Sequence, residues 1–393
     1  MSLLPVSDAQ RRLLDLATMR EAETVPVAQA VGRWITSDLA ASRSQPATDL
    51  SAMDGYAVRH ADMPGPWRVV GESAAGGGYA SPVHPGEAVR IYTGAVMPEG
   101  ADTVVIQENV VREGDSISLG AEGATRLGQN IRRAGSDFGA GQRLIAAGTQ
   151  LTPRHIALAA LGGWGTLALP RLPRIALLST GSELVPPGMS HGPAQIPASN
   201  GAMLSAMLAG LPCAAEDFGI IPDTLDALTS ALASTREHDI VVTTGGASVG
   251  DHDLVKPALE AAGGSIDFWK IRMRPGKPLI AGTLGKALFL GLPGNPVSAY
   301  VTATLFLLPL VRSMAGCPDP RPKMRRAVLG AAMPPVGGRD DYVRAVLVDG
   351  VATPVVSQDS AATRALAQAD CLIVREAGSA AAERGAEVTV IAL

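Results

Sequence analysis

Cysteine is scarce in this chain of 393 residues. The three present, Cys213, Cys317 and Cys371, lie far apart and form no C-x-x-C pair. That excludes a disulfide scaffold and a cysteine-based zinc site, and it suits a reducing compartment. Aromatic residues are also few, at 4%, so the cores must be built from Ala, Val, Leu and Ile. Charge of one sign is lacking too. The net charge is −4 and the sequence pI about 5.9, which argues against a nucleic-acid binder. The longest near-apolar run, 297–311, is interrupted by Ser298, Thr302, Thr304 and Pro309. It falls short of the roughly 18 residues that a membrane span needs. No basic, apolar leader opens the chain, and a soluble, cytoplasmic protein is expected.

Apolar residues are plentiful, at 47%, against 18% charged, which is a globular composition. The length implies two to four domains. A first helix is expected over 7–19, with Ser7 as N-cap, Gln10 completing a capping box, and Leu13, Leu16 and Ala17 on one face. From 45 to 140 Gly and Pro are dense and β-like runs recur at 67–70, 88–92 and 103–106. This reads as a small β-rich domain inserted into a helical and extended framework over 1–44 and 141–170, with a helix resuming at 151–161.

Between 171 and 317, strand-like runs at 175–178, 240–243 and 287–290 alternate with helix candidates. Asn200, Asp223 and the Asn295–Pro296 pair are read as helix starts, the last opening a long helix to Met314. Alternation of this kind predicts a doubly wound, mostly parallel α/β domain. The segment 318–322 is a stiff, Pro-rich linker. Beyond it, over 322–393, β-runs at 342–348, 371–375 and 388–391 predict a small β-barrel or sandwich.

The densest chemical signal is T-T-G-G-A-S-V-G-D-H-D, residues 243–253, directly after an apolar run. Its glycines let the backbone turn sharply and present N–H groups, as a phosphate cradle at the carboxyl end of a strand requires. Asp251 and Asp253 close the loop, and carboxylates beside bound phosphates are where Mg²⁺ usually sits. The same residues spell G-x-S-x-G around Ser248, the nucleophile elbow of serine hydrolases. That fold needs its acid and then its histidine downstream, and only His252 follows Ser248, four residues away, which disfavours the hydrolase.

Two more glycine loops, 179–183 and 291–296, follow strands at the same edge, so one shared ligand site is expected. The basic run W-K-I-R-M-R-P-G-K-P, residues 269–278, stands out in an acidic chain. It is either a solvated strand edge or an oxyanion loop with Arg274 and Lys277 flanking a Pro-Gly turn; the residues alone leave both open.

Six motifs occur here in one order: S-A-M-D-G-Y-A-V from Ser51, Y-T-G-A-V-M-P-E-G-A-D-T-V-V from Tyr92, S-T-G-S-E-L from Ser179, the 243–253 loop, R-P-G-K-P from Arg274, and G-L-P-G-N-P-V-S-A from Gly291. Together they make the chain resemble the molybdopterin molybdenumtransferase family, the MoeA-type proteins related to the C-terminal part of gephyrin. The resemblance runs from about residue 5 to the end.

It implies a four-part, elongated protomer in a homodimer with shared active sites. It implies small-molecule substrates, molybdate being inserted into adenylylated molybdopterin with Mg²⁺ and release of AMP. Transient contact with other molybdenum-cofactor biosynthesis proteins is also implied. By the same resemblance Asp54, Thr93, Asp137, Glu183 and Asp253 are catalytic, and Asp253 holds Mg²⁺. Thr180, Gly181, Gly245, Gly246, Ser248, Gly250, Pro293, Gly294, Asn295 and Ser298 line the pterin site. Lys270, Arg274 and Lys277 form its basic loop, and Arg344 and Ser360 an outer anion site.

The chain departs from the family's pattern at Arg274, usually Lys, at Ser182, often Asp, and at Ser199, where Asp or Thr often precedes the Asn. A pterin carrier without turnover and a molybdopterin adenylyltransferase are the competing readings. The carboxylates speak against a mere carrier, and the extra domains against adenylylation alone.

Overall fold

Three apolar strands set the centre of the molecule, and their side chains alternate between two cores. Along Arg174–Thr180, Ile175 and Leu177 enter one core and Ala176 and Leu178 the other. Ile240–Thr244 and Ala287–Leu292 repeat the alternation, with Val242 and Leu290 on the first face and Val241 and Phe289 on the second. Burial on both faces is the signature of a parallel sheet covered by helices. The computed structural model describes residues 3–121, 126–189, 192–246 and 254–393.

Six strands form the central sheet, in the spatial order Ala214–Ile221, Arg174–Thr180, Ile240–Thr244, Ala287–Leu292, Ile280–Leu284, Gly264–Trp269. The first four are parallel, and Ile280–Leu284 runs antiparallel to both its neighbours. Helix Ser199–Leu208 covers the first face through Leu204 and Leu208. Helices Leu225–Ser234 and Val255–Ala261 cover the second through Leu228, Leu232 and Leu259. After Arg174–Thr180 the chain winds first to one side, to Ala214–Ile221, and then back across to Ile240–Thr244. Such a reversal opens a crevice at the carboxyl ends of the two strands that flank it.

The long helix after the sheet runs from Pro296 to Met314, with 78% of its most apolar window buried. It is therefore a core helix. Its middle, Ala303–Leu307, is π-helical. Pro309 has no N–H to give to the Leu305 carbonyl four residues back, and Gln10 Nε2 from the first helix donates to that carbonyl at 2.7 Å.

Gln10 therefore completes no capping box. Ser7 lies inside the helix Val6–Leu16, whose N-cap is Pro5 with no side-chain bond. The buried face is Val6, Ala9 and Leu13, packed against the long helix, whereas Leu16 is exposed. Two other expected caps are also corrected. Asn200 sits within Ser199–Leu208, and Thr224, not Asp223, caps Leu225–Ser234 by accepting the Ala227 N–H.

Two pairs of antiparallel strands make the framework: Ala22–Pro26 with Thr166–Pro170, and Leu39–Ala40 with Arg143–Ile145. Helix Pro153–Leu161 closes over their core of Val25, Ile35, Leu39, Ile145 and Leu167. Between Leu39–Ala40 and Arg143–Ile145 the chain detours into a second six-stranded sheet. Its order is Thr103–Ile106, Gly55–Val58, Glu87–Ile91, Trp67–Ser73, Ser116–Leu119, Val110–Glu113, with Trp67 only 1% exposed in its core.

The last five strands, Met324–Leu329, Asp340–Val348, Val351–Pro354, Cys371–Arg375 and Glu387–Ala392, close into a barrel. Pairing of Asp340–Val348 with Cys371–Arg375 completes the circle. Of the two architectures the β-runs allowed, this is the barrel.

One buried carboxylate ties the framework to the central sheet. Asp239, 5% exposed, precedes strand Ile240–Thr244. It accepts two bonds from Arg171, at 2.7 and 2.8 Å, one from Arg20 at 2.9 Å, and the Arg174 N–H at 2.8 Å. Burial alone would push its pKa up; Arg171, the Arg174 N–H and Arg20 outweigh burial and hold it below the ordinary carboxylate range.

Candidate functional site

The four parallel strands end on one side, and the residues after them converge. Thr180, Glu183, Asp223, Thr244, Gly245, Gly246 and the Pro293–Pro296 turn line a cavity of about 710 Å³. Asn200 and, from the barrel, Ala361 and Thr363 complete it. The described parts of the three glycine loops that the sequence suggested thus meet at the crevice where the strand order reverses.

Glycine is obligatory at the centre. Gly245 has φ 96° and a Cβ there would lie 2.3 Å from the Thr180 carbonyl oxygen; Gly246 has φ 60° and a Cβ would lie 2.4 Å from Val255 Cγ2. Both positions need left-handed backbone and leave no room for a side chain. Gly181 forms the neighbouring turn, with the Glu183 carboxylate folded back over it.

The cavity wall carries unsatisfied polar atoms. Thr244 is 3% exposed, and its Oγ1 has no partner among the described residues. Asn200 donates from Nδ2 to the Gly294 carbonyl at 2.7 Å, which leaves Oδ1 as an acceptor, also unpartnered among the described residues. A buried polar atom left unpaired costs about 1–3 kcal/mol, which a bound ligand can recover. Thr180 is different: its Oγ1 already donates to the Thr244 carbonyl at 3.2 Å.

Two carboxylates share this wall. Asp223 has its pKa raised, mainly by desolvation and further by the Glu183 charge, against a lowering bond from the Ser182 N–H. Sequence reasoning read Asp223 as a helix cap and missed it as a site residue. The available signal was its place just after a strand of the parallel sheet, at the ligand-binding edge. Asn200 was missed for the same reason.

The remaining predicted residues fall in four places. Ser248, Gly250 and Asp253, with the whole of 247–253, lie outside the described residues. Among the described residues, no three His, Cys, Asp or Glu side chains gather to hold a metal.

In the basic loop, Lys270 has φ 80° and Lys277 is exposed. Arg274 pairs with Asp341 of the barrel at 3.0 Å, with its side chain 64% exposed. An exposed pair of this kind is weak and can yield to an anion. Only Pro278 of this loop lines the cavity.

Next to it, Ser360 Oγ accepts from Asn295 Nδ2 at 3.0 Å, and its carbonyl accepts the Val297 N–H at 3.2 Å, so Ser360 pins the start of the long helix. Ser298 is buried within that helix. Arg344 is 1% exposed and donates to the carbonyls of Ala362 and Asp359, at 3.1 and 2.9 Å. In this arrangement it supports the 359–362 turn.

Asp54, Thr93 and Asp137 form the fourth group, on the inserted sheet's side of the chain, and none of them lines the cavity. Asp54 Oδ1 accepts both the Thr93 N–H, at 2.7 Å, and the Thr93 hydroxyl, at 2.8 Å. These bonds, and then the field of Arg90, hold the Asp54 carboxyl below its ordinary pKa. Asp137 is exposed, and its N–H donates to the Gln45 carbonyl at 3.0 Å. A second cavity of about 660 Å³ lies between framework, long helix and barrel. It contains none of the glycine loops, so the chemistry is assigned to the first.

A doubly wound sheet with a glycine-lined cavity at its switch point, joined to an inserted β-sheet and a closed barrel, defines a multidomain α/β ligand-binding protein. Comparison with known proteins then gives the family. Residues 4–163 match the MoeA N-terminal region (domain I and II), 176–313 a probable molybdopterin binding domain, and 326–393 the MoeA C-terminal region (domain IV). The molybdopterin molybdenumtransferase of Haemophilus influenzae is 37% identical over 318 residues, 80% of this chain and 78% of the relative. That of Bacillus subtilis is 32% identical over 402 residues, 99% of this chain and 94% of the relative. The crystal structure of a molybdopterin biosynthesis MoeA protein from Pyrococcus horikoshii matches with a TM-score of 0.85 at 28% identity, covering 100% of this chain and 99% of that one. The chain belongs to the MoeA family of molybdopterin molybdenumtransferases, transferases of molybdenum cofactor biosynthesis.

Proposed function

We propose that this protein inserts molybdate into adenylylated molybdopterin and releases AMP, acting as a cytoplasmic homodimer. The observation that carries this reading is the glycine-lined cavity at the sheet's switch point, where the described ends of the three glycine loops come together with Thr244 and Asn200 in the wall. The backbone at Gly245 and Gly246 allows the close approach that a phosphate needs. Thr244 and Asn200 would hydrogen-bond the pterin nucleotide, and the Pro293–Pro296 turn would carry it at the helix start.

The division of labour follows the expected segments. The α/β domain over 171–317 binds the nucleotide, and the insert over 45–140 supplies Asp54, Thr93 and Asp137 to the site of a second copy. The absence of these three from their own chain's cavity lining supports the shared site. The framework over 1–44 and 141–170 carries the insert, and the barrel over 322–393 borders the basic loop. Product release would involve transient contact with other proteins of the same biosynthesis.

Mg²⁺ suits the two carboxylates on the wall. Desolvation, and further the charge of Glu183, raise the Asp223 pKa; a divalent cation would relieve the repulsion between the two, and Mg²⁺ commonly takes one or two carboxylates beside substrate phosphates. Glu183 and Asp223, with Asp253 from the adjoining loop, would hold it, and the ion would offset the negative charge of the phosphates. The protein's own part is positioning. Arg274, released from Asp341, and Lys277 would attract molybdate, a dianion that must approach an anionic ligand. Asp54, already ionised and oriented by Thr93, would orient the water that attacks the phosphoanhydride.

The test is AMP release from adenylylated molybdopterin with Mg²⁺ and molybdate. Molybdate-dependent release that Asp54→Asn lowers by about 100-fold supports the insertase. Tight binding without release would instead identify a carrier, and AMP incorporation from ATP an adenylyltransferase.

A further inference from the structure

Behind the Asp54–Thr93 pair lies a residue with an unusual set of contacts. Arg90, on strand Glu87–Ile91, has its guanidinium carbon 5.1 Å from the centre of the Tyr56 ring and 4.9 Å from that of Tyr92. Its Nη1 donates to the Gly55 carbonyl at 3.0 Å and its Nη2 to Gln107 Oε1 at 2.5 Å. Gln107 in turn donates its backbone N–H to the Asp54 carbonyl at 3.1 Å. Arg90 thus touches the residue after Asp54, the residue before Thr93, and the residue bonded to the Asp54 backbone. Planar stacking and a forked donor set are both required, which only arginine offers.

We propose that Arg90 is a positioning residue for the Asp54–Thr93 pair, locking three loops so that Asp54 keeps one oxygen on Thr93 and the other open. The inference rests on Asp54 having the role given above. It is specific to Arg90 because the nearby acids act elsewhere: Glu72 accepts from the Tyr92 hydroxyl at 3.4 Å, and Glu108 from Gln107 Nε2 at 3.2 Å. Arg90 is the one charged group whose field on Asp54 is resolved among the described residues.

The experiment compares Arg90→Ala and Arg90→Lys with the intact chain in three readouts. Steady-state AMP release separates kcat from KM. The Thr93 amide, bonded to Asp54, reports the protonation of that carboxylate by NMR titration without any need for turnover. Guanidinium ion at millimolar concentration tests chemical rescue. For Arg90→Ala the expected result is a kcat lower by about tenfold, as for other losses of orientation, with KM for the pterin nucleotide changed by less than about twofold.

The Thr93 titration midpoint should move upward, and guanidinium should restore part of the activity. Arg90→Lys should not rescue, since a point charge makes neither the stack nor the fork. A lower Tm with unchanged kcat and an unchanged Thr93 midpoint would overturn the proposal and leave Arg90 a structural strand residue. Asp54→Asn is the control: full activity there would remove the role given to Asp54, while the Thr93 midpoint would still decide whether Arg90 positions it.

Discussion

The cavity at the sheet edge and the Asp54 corner of the insert prepare for an anionic substrate in opposite ways. The cavity leaves its polar atoms unpaired: Thr244 Oγ1 and Asn200 Oδ1 have no partner among the described residues. The corner pairs nearly everything, with Thr93 on one Asp54 oxygen and Arg90 stacked behind. Unpaired groups in a cavity favour binding, because the ligand relieves their desolvation. A carboxylate fixed in advance favours the reaction, because no reorganisation is left for the transition state. One region is built to hold and the other to act.

The largest effect should come from filling the cavity's floor. Gly245→Val places a Cβ against the Thr180 carbonyl in left-handed backbone, and pterin-nucleotide affinity should fall by roughly 100-fold or more. Isothermal titration would measure this, and an unchanged affinity would break the assignment of binding to this crevice. Asp54→Asn should do the reverse, lowering kcat by about 100-fold while ligand affinity stays within about threefold.

The Asp239 clamp holds the framework to the central sheet, so its loss should show in stability. Asp239→Ala leaves the partly exposed Arg20 and Arg171 and the Arg174 N–H without their acceptor and should destabilise by about 2 kcal/mol in urea unfolding. The wild-type carboxyl lies below its unfolded value of about 4. Its contribution is therefore complete above that pH and drains away as pH falls through the folded value. The acid-induced loss of Tm should be shallower in Asp239→Asn.

Thr244→Val should separate holding from folding. The unliganded protein should gain up to about 1 kcal/mol or stay unchanged, while ligand affinity falls about tenfold, since an unsatisfied hydroxyl is removed. The smallest effect belongs to the rim. Asp341→Asn frees Arg274 from an exposed pair and should raise molybdate affinity by less than about threefold at low salt, with no difference at 1 M.

Much of the holding region was legible in the sequence, because a parallel sheet writes itself as short apolar runs followed by glycine turns. The strands near 175–178, 240–243 and 287–290 all formed, and the described residues of their three loops line one cavity. The acting region was not legible from the residues alone. Asp54-Gly55 and Thr93-Gly94 read as ordinary turns, and only the family's motif order singled them out. Where the reading failed, a tertiary partner had claimed a side chain that local rules assign nearby. Gln10 answers a carbonyl that Pro309 leaves open 295 positions away. Asp223 faces the cavity because Thr224 caps the helix.

The acting region hangs from the framework by two strands of chain lying side by side. Gln45 receives the N–H of Asp137 at 3.0 Å and gives its own to the Phe138 carbonyl at 2.8 Å, and the Pro46 carbonyl takes the Gly135 N–H at 2.8 Å. Departure and return are neighbours, so the detour between them is, to the rest of the molecule, a single closed loop. The entropy of closing such a loop rises only with the logarithm of its length. The framework is therefore nearly indifferent to how much chain lies beyond Gln45 and Phe138. A longer, shorter or foreign module could be spliced in at that junction without disturbing the register of a single framework strand, which makes the insert the natural point at which this architecture can be re-equipped.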